Sequence, residues 1–544
     1  MRRPDELRTD GPLLWSVGTG REVWKLLRAA ADGDLPGIRK LLKKNPALIR
    51  AHAHYRTPLY MAVRENQAGA VQLLLARMGD PLSLAVNDTL LTMARERGYL
   101  AVQQILEEHL ALHFQISERG EPVAAAIREK NLRKVKQLLD ASPELVHAGD
   151  ERGNQPIHWA VMTRQVRMID AVLARGADIN AQRFDGARPI QLTNGDYNYR
   201  GWRDVPAGTK TKPREVLQYL RDKGAECDLC TASYIGDEEQ VRALLAADPG
   251  LANRPSAYVT YYACSGTPIR NAAAGGHASI VRLLLEHGAD PNLPEEGIAP
   301  LGHALHMAVC NGHREIVELL LAHGAHPNVP IESSADTLSA ALRNEDKSMA
   351  ELLASHGAAR GLNLLAYYGD VVTAAAMISA NPKLADDTEA LCYAAEEGHE
   401  AFVRLLLHYR PKLAKRVGVG GKTAAITQLL FAHGMDPHFR DWLDATPLHH
   451  FARRGDTENA ALFLDQGAEI DALEEDQRST PLGWAARHGQ PAMAELLLAR
   501  GARTDLPAQP DWARPRAWAE RRGHTAIVDL LDAHDAMQRL HGDG

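Results

Sequence analysis

The chain has 544 residues, 45% of them hydrophobic but only 5% aromatic, and a formal charge of −7. That balance gives no global electrostatic case for nucleic acid, which asks for a basic stripe or domain. Five scattered cysteines (Cys227, Cys230, Cys264, Cys310, Cys392) make no disulfide framework, the charged N-terminus leads into no apolar signal core, and runs such as 371–380 fall short of the roughly 18 residues of a membrane span.

Along the chain one phrase recurs at a period near 33 residues, the mark of a stacked-repeat architecture. Its variants lie at 57–81, 155–180, 266–292, 303–328, 446–471 and 480–505. In the clearest copy, Thr267 caps a helix with its hydroxyl and Pro268 takes the first helical position, where a missing N–H costs nothing. Ala272, Ala273 and Ala274 keep that helix slim, and Gly275-Gly276 ends it. A second helix carries Ile280, Val281, Leu283, Leu284 and Leu285, stops at Gly288, and gives way to a turn at Asp290-Pro291-Asn292. Glycine stops at 288, 324 and 357, then at 434, 467 and 501, extend the count to about 15 or 16 repeats.

The phrase resembles the ankyrin repeat, most closely at Thr446-Pro447-Leu448-His449, Thr480-Pro481-Leu482, Gly312-His313, Gly523-His524 and Gly467-Ala468. The resemblance covers nearly everything from about Leu26 to His534. It implies an all-α solenoid in which each helix pair is followed by a projecting β-turn finger, with fingers and first helices lining the concave side. The degenerate repeats and the Arg- and Ala-rich sequence look similar to large bacterial ankyrin-repeat proteins of unassigned activity.

A second flavour of repeat closes with a Pro-x-Leu turn, at Pro46–Leu48, Pro143–Leu145, Pro249–Leu251 and Pro382–Leu384. These recur every three or four repeats and read as the starts of sub-blocks. The expected organisation is an extension at 1–25, blocks at 26–119, 120–227 with an insert at 193–213, and 228–360, compressed repeats at 361–440, a C-terminal block at 441–537 and a tail at 538–544.

Three irregularities interrupt the grammar. About 15 extra residues, including Tyr197, Tyr199 and Trp202, separate two helices of one repeat. A lengthened finger holds Tyr258, Tyr261 and Tyr262. The repeat at 422–434 is about ten residues short and is expected to lack a full helix pair. Insertions in repeat proteins map to loops and often to binding faces, so both tyrosine-rich segments are candidate partner contacts.

Several motifs suggest chemistry that the repeat grammar explains otherwise. Residues 418–423 (Gly-Val-Gly-Gly-Lys-Thr) look like a phosphate loop, but the position that needs the leading glycine holds Arg416 and no strand precedes it. Lys422-Thr423 then opens a shortened helix. His303, His306, Cys310 and His313 have spacings suited to zinc donors, yet His306 and His313 are positions of the repeat phrase, and Gly312 breaks the helix before the last of them. Cys227 and Cys230 form a lone Cys-x-x-Cys without a second pair. His277, His399 and His524 follow the inter-helix glycine and are expected to be structural donors. No catalytic set, metal site or cofactor fingerprint is expected.

The resemblance places the two residues before the inter-helix glycine on the concave face. In the last repeats these are Arg453-Arg454, Arg487-His488 and Arg521-Arg522, which stacking would align as a basic stripe. Trp442 and Leu443 occupy a finger of the same region, and Arg with Trp is a pairing enriched at interface hot spots. Glu474, Glu475 and Asp476 are positioned to neutralise the stripe from within, and helix C-termini favour arginine in any case. Trp159, Trp484 and Trp518, three residues after proline, are expected to pack between repeats.

The function expected is therefore a non-catalytic, monomeric, cytoplasmic scaffold that binds protein through its concave face, with an acidic or aromatic-accepting partner, and no role for nucleic acid, membrane or cofactor. The competing expectation is a small-molecule binder or enzyme using the insert around Trp202 as a lid.

Overall fold

The computed structural model describes residues 1–77, 89–150, 153–183, 186–193, 195, 208–256, 264–332 and 336–542, with side chains to 539. Among these residues there are thirty α-helices, forming fourteen pairs and two single helices, and isolated bridges in place of any sheet. The chain is an all-α solenoid, and the helix pairs and single helices among the described residues mark sixteen repeats. No helix among the described residues is long and apolar enough to cross a membrane.

The chain divides into two compact units. The N-terminal unit holds 9–95 and 99–359, and the C-terminal unit holds 1–8, 96–98 and 360–544.

Local chemistry explains the helix pairs. Thr267 accepts the Arg270 N–H at 3.3 Å to start the helix Pro268–Gly275, and Gly276 ends it at φ +78°, a conformation that needs no Cβ. The helix Ala278–Glu286 then buries Ile280, Val281 and Leu284 against its neighbours. Full burial of such side chains stabilises by about 1.5–3 kcal/mol each. The Pro-x-Leu segments are 3-10 turns, at Pro46–Arg50, Pro143–Val146, Pro249–Asn253 and Pro382–Ala385.

The short repeat has a single helix, Ala424–Ala432, and extended chain where its first helix would be. Lys422 N–H caps the preceding first helix at the Ala395 carbonyl, 2.8 Å away. The glycines of the apparent phosphate loop serve close packing instead. A Cβ on Gly420 would lie 2.7 Å from Asn459 and 2.8 Å from Phe451, and Asn459 Nδ2 donates to the Gly421 carbonyl at 2.9 Å.

The other tempting sets resolve similarly. His303 pairs with Glu295 at 3.2 Å, His306 Nε2 lies 3.3 Å from Cys310 Sγ, and the two imidazoles stack at 5.8 Å, so protein contacts occupy the residues with zinc-like spacing. Burial pushes His306 down to about 3 and Cys227 up to about 12. Among the described residues no group of three or more acidic, His or Cys side chains is arranged to hold a metal.

Candidate functional site

The last three repeats of the C-terminal unit bring the Arg and Trp positions together. Their first helices are Pro447–Arg454, Pro481–Arg487 and Pro515–Arg522. Each begins at a proline, so each tryptophan three residues further on is turned inward: Trp484 is buried and Trp518 fully so, as is Trp159 in the N-terminal unit. An indole N–H buried this way needs an acceptor. The preceding finger supplies it as a carboxylate, Asp150 at 2.8 Å for Trp159 and Glu474 at 3.2 Å for Trp484. Gln509 stands at the corresponding place before Trp518, and there the indole N–H has no partner.

Glu474 also organises its finger, accepting the backbone N–H groups of Asp476, Gln477 and Ser479 at 2.6, 2.9 and 3.2 Å. Burial pushes its carboxyl up to about 7, with Asp476 adding to the shift and the hydrogen bonds opposing it.

Trp518 lies between two guanidinium groups, Arg487 at 4.3 Å and Arg521 at 4.4 Å from its ring centroid. Trp512 meets it edge-on at 6.0 Å. These contacts orient the arginines by stacking as well as by charge.

The expected stripe is interrupted at Arg487, which is only 7% exposed. Within the C-terminal unit, Glu96 lies 3.7 Å from Arg487 and 2.8 Å from Arg522. Arg97 stacks over Trp512 at 4.7 Å and donates to the Asp476 carbonyl at 2.8 Å. A buried guanidinium needs such pairing, because an unpaired charge out of water costs several kcal/mol. Glu96 thus supplies the negative charge that the sequence placed on the finger. The finger acids are engaged elsewhere: Glu474 as above, and Glu475 with the Met1 amino group.

Of the remaining stripe, Arg453 and Arg454 are exposed, Arg521 is exposed and Arg522 is half-buried. Arg454 stands 5.6 Å from the Phe451 ring, and Arg521 reaches the Trp512 carbonyl. Trp442 is half-buried and its carbonyl accepts the Arg2 N–H at 3.0 Å. Leu443 is buried, at 3% exposure, so its side chain faces the interior and not a partner. Tyr197, Tyr199, Trp202, Tyr258, Tyr261 and Tyr262 lie outside the described residues.

The role of the finger carboxylates Asp150 and Glu474 as acceptors for the buried indoles was not read from the sequence. Their signal is an acid nine or ten residues before the inward tryptophan.

Comparison with known proteins agrees with this architecture. A family profile described as ankyrin repeats (3 copies) matches residues 90–183, 229–331 and 414–508, together just over half of the chain. Over 169 residues the chain is 28% identical to a transient receptor potential cation channel subfamily A member 1 homolog of Caenorhabditis elegans, covering 29% of this chain and 13% of that protein. Over 153 residues it is 24% identical to the Homo sapiens transient receptor potential cation channel subfamily A member 1, covering 28% and 12% respectively. The alignments therefore span a small part of either relative.

Proposed function

Because the chain belongs to the ankyrin-repeat family, whose helix pairs generally serve protein–protein binding, we propose that it is a non-catalytic scaffold holding a partner protein on the first-helix and finger face of residues 441–537. The observation that carries this reading is the exposed Arg453–Arg454 pair at the end of the helix Pro447–Arg454. Stacking on Phe451 holds Arg454 ready, which lowers the ordering cost of association. Arg521, exposed beside Trp512 and Trp518, extends the same chemistry. A partner with carboxylates spaced to meet these guanidinium groups is the expected occupant.

The reading also has the chain acting as a cytoplasmic monomer, supported by five free thiols and an acidic net charge. A bacterial source rests on composition alone. Affinity capture with wild type and the Arg453→Glu/Arg454→Glu variant tests the proposal. A captured protein whose recovery falls at least about tenfold with the variant, about 1.4 kcal/mol, supports it. Unchanged recovery of every captured protein rejects the arginine face as the site.

A further inference from the structure

Tyr367 and Tyr368 end the helix Leu362–Tyr368 and occupy the two positions before Gly369, the same register as Arg453–Arg454 before Gly455. They are 43% and 38% exposed. Their rings meet edge to face at 5.1 Å, and Tyr393 of the next first helix, Thr388–Glu397, meets Tyr367 at 6.0 Å and 90°. Three rings braced in this way form a platform that needs little ordering before it binds.

The surroundings are acidic. Burial together with the charges of Glu396, Glu389 and Asp387 pushes the Cys392 thiol, on the same helix as Tyr393, up to about 12. Glu396, in register with Tyr367 and partly open to solvent, has its carboxyl raised on balance, by partial desolvation first, with Arg454 opposing the shift and Glu397 adding to it. Tyrosine faces edged by carboxylates attract a guanidinium or ammonium group. The chain already uses that chemistry next door, where Arg360 stands 5.9 Å from the Tyr368 ring and pairs with Asp370 at 2.8 Å.

Along the first-helix register of the C-terminal unit, the pairs before the inter-helix glycines begin with Tyr367-Tyr368, Glu396-Glu397 and Arg453-Arg454, and continue with Arg487-His488 and Arg521-Arg522. The short repeat contributes no first helix between Glu396-Glu397 and Arg453-Arg454, so acidic and basic positions influence each other directly.

We propose that this face is bipolar, with a cation-accepting end at Tyr367, Tyr368 and Glu396 and an anion-accepting end at Arg453 and Arg454, and that its occupant is a partner segment with a basic residue at one end and an acidic residue at the other. The inference rests on the scaffold reading and specifies the orientation of the bound segment. Charge complementarity of this kind selects register and partner more than it adds raw affinity.

Three fluorescein-labelled peptides of equal length test it by anisotropy with the full chain: one with Lys/Arg in the first half and Glu in the second, one all-acidic and one all-basic. The bipolar peptide is expected to bind at least about tenfold more tightly than either other, with strong weakening by salt. Glu396→Lys/Glu397→Lys and Tyr367→Ala should each remove that advantage while circular dichroism and melting stay as in wild type. The milder Glu396→Gln/Glu397→Gln should remove part of it. If the all-acidic peptide binds as tightly as the bipolar one and ignores the glutamate variants, the bipolar face is rejected and the arginine site stands. Absence of binding by all three peptides rejects both. A doubling of mass in solution that the same variants abolish would mean a second copy covers the face, which also overturns the proposed occupant.

Discussion

Two kinds of repeat start their second helices in different ways. In one kind the residue after the inter-helix turn reaches back to the previous repeat. His277 donates to the Tyr234 carbonyl at 3.1 Å, His399 to Tyr367 at 3.0 Å and His524 to Arg487 at 3.3 Å. Gln67, Gln165 and Gln490 make the same link to Ala31, Ile127 and Arg453. Each satisfies a carbonyl left over at the end of the neighbouring first helix.

The Pro-x-Leu repeats do otherwise. Asp34, Asn131, Asp237 and Asp370 cap their own helices, accepting the N–H groups of Gly37, Lys134, Gln240 and Thr373 at 3.0–3.1 Å. Asp456 does likewise, and the repeat before it has no first helix to reach. Many consecutive repeats are thus coupled by one specific side chain, and the Pro-x-Leu repeats cap their own second helices instead; the repeat at Asp346 does both, with Asp346 accepting the Met349 N–H at 2.9 Å while Asn344 donates to the Cys310 carbonyl at 3.1 Å. In a solenoid these are the two separable terms, repeat stability and interface energy.

The largest expected effect strikes the short repeat, where packing replaces a first helix altogether. Gly420→Val would drive a side chain into Asn459 and Phe451, and should cost about 1–3 kcal/mol or more by urea unfolding. A variant as stable as wild type would mean the extended segment has room to move aside. His277→Ala comes next, at up to about 1.5 kcal/mol, because it removes the hydrogen bond to the Tyr234 carbonyl. Hydrogen exchange should then accelerate in both the Leu229–Ile235 and Ala278–Glu286 helices.

Asn131→Ala should cost about 1 kcal/mol, with faster exchange confined to the helix Leu132–Ala141. If the two alanine variants spread their effects equally, the distinction between bridged and self-capped repeats fails. The smallest effect is a pH slope. Burial and Arg214 hold His277 below the ordinary histidine value, so its neutral form is favoured on folding. That contribution is present above the unfolded pKa and lost as pH falls through the folded one. Wild type should therefore lose more stability than His277→Gln between pH 7 and pH 5, and parallel curves would contradict this.

Helix starts, helix stops and the lack of a full helix pair at 422–434 were legible in the sequence, because Thr-Pro, Gly-His and repeat length act within a few residues, whereas which helix is absent there was not. The back-reaching link was partly legible: His277, His399 and His524 read as structural donors, although their acceptors lie 32–43 residues away. The state of the arginine face was not legible. Arg487 sits in the repeat phrase like Arg453, and nothing nearby in the sequence distinguishes an exposed arginine from a buried one.

The sequence by itself determined the repeat, its caps and the register that lines up Tyr367, Glu396, Arg453, Arg487 and Arg521, since each depends on short-range backbone chemistry. Only the tertiary structure decided which of those positions meet solvent. Glu96 and Arg97 close over Trp512, Trp518 and the 474–479 finger through contacts such as Arg97 to Asp476, 379 residues apart in sequence. The burial of a charge depends on a partner brought from elsewhere in the chain, and no local pattern encodes where that partner comes from.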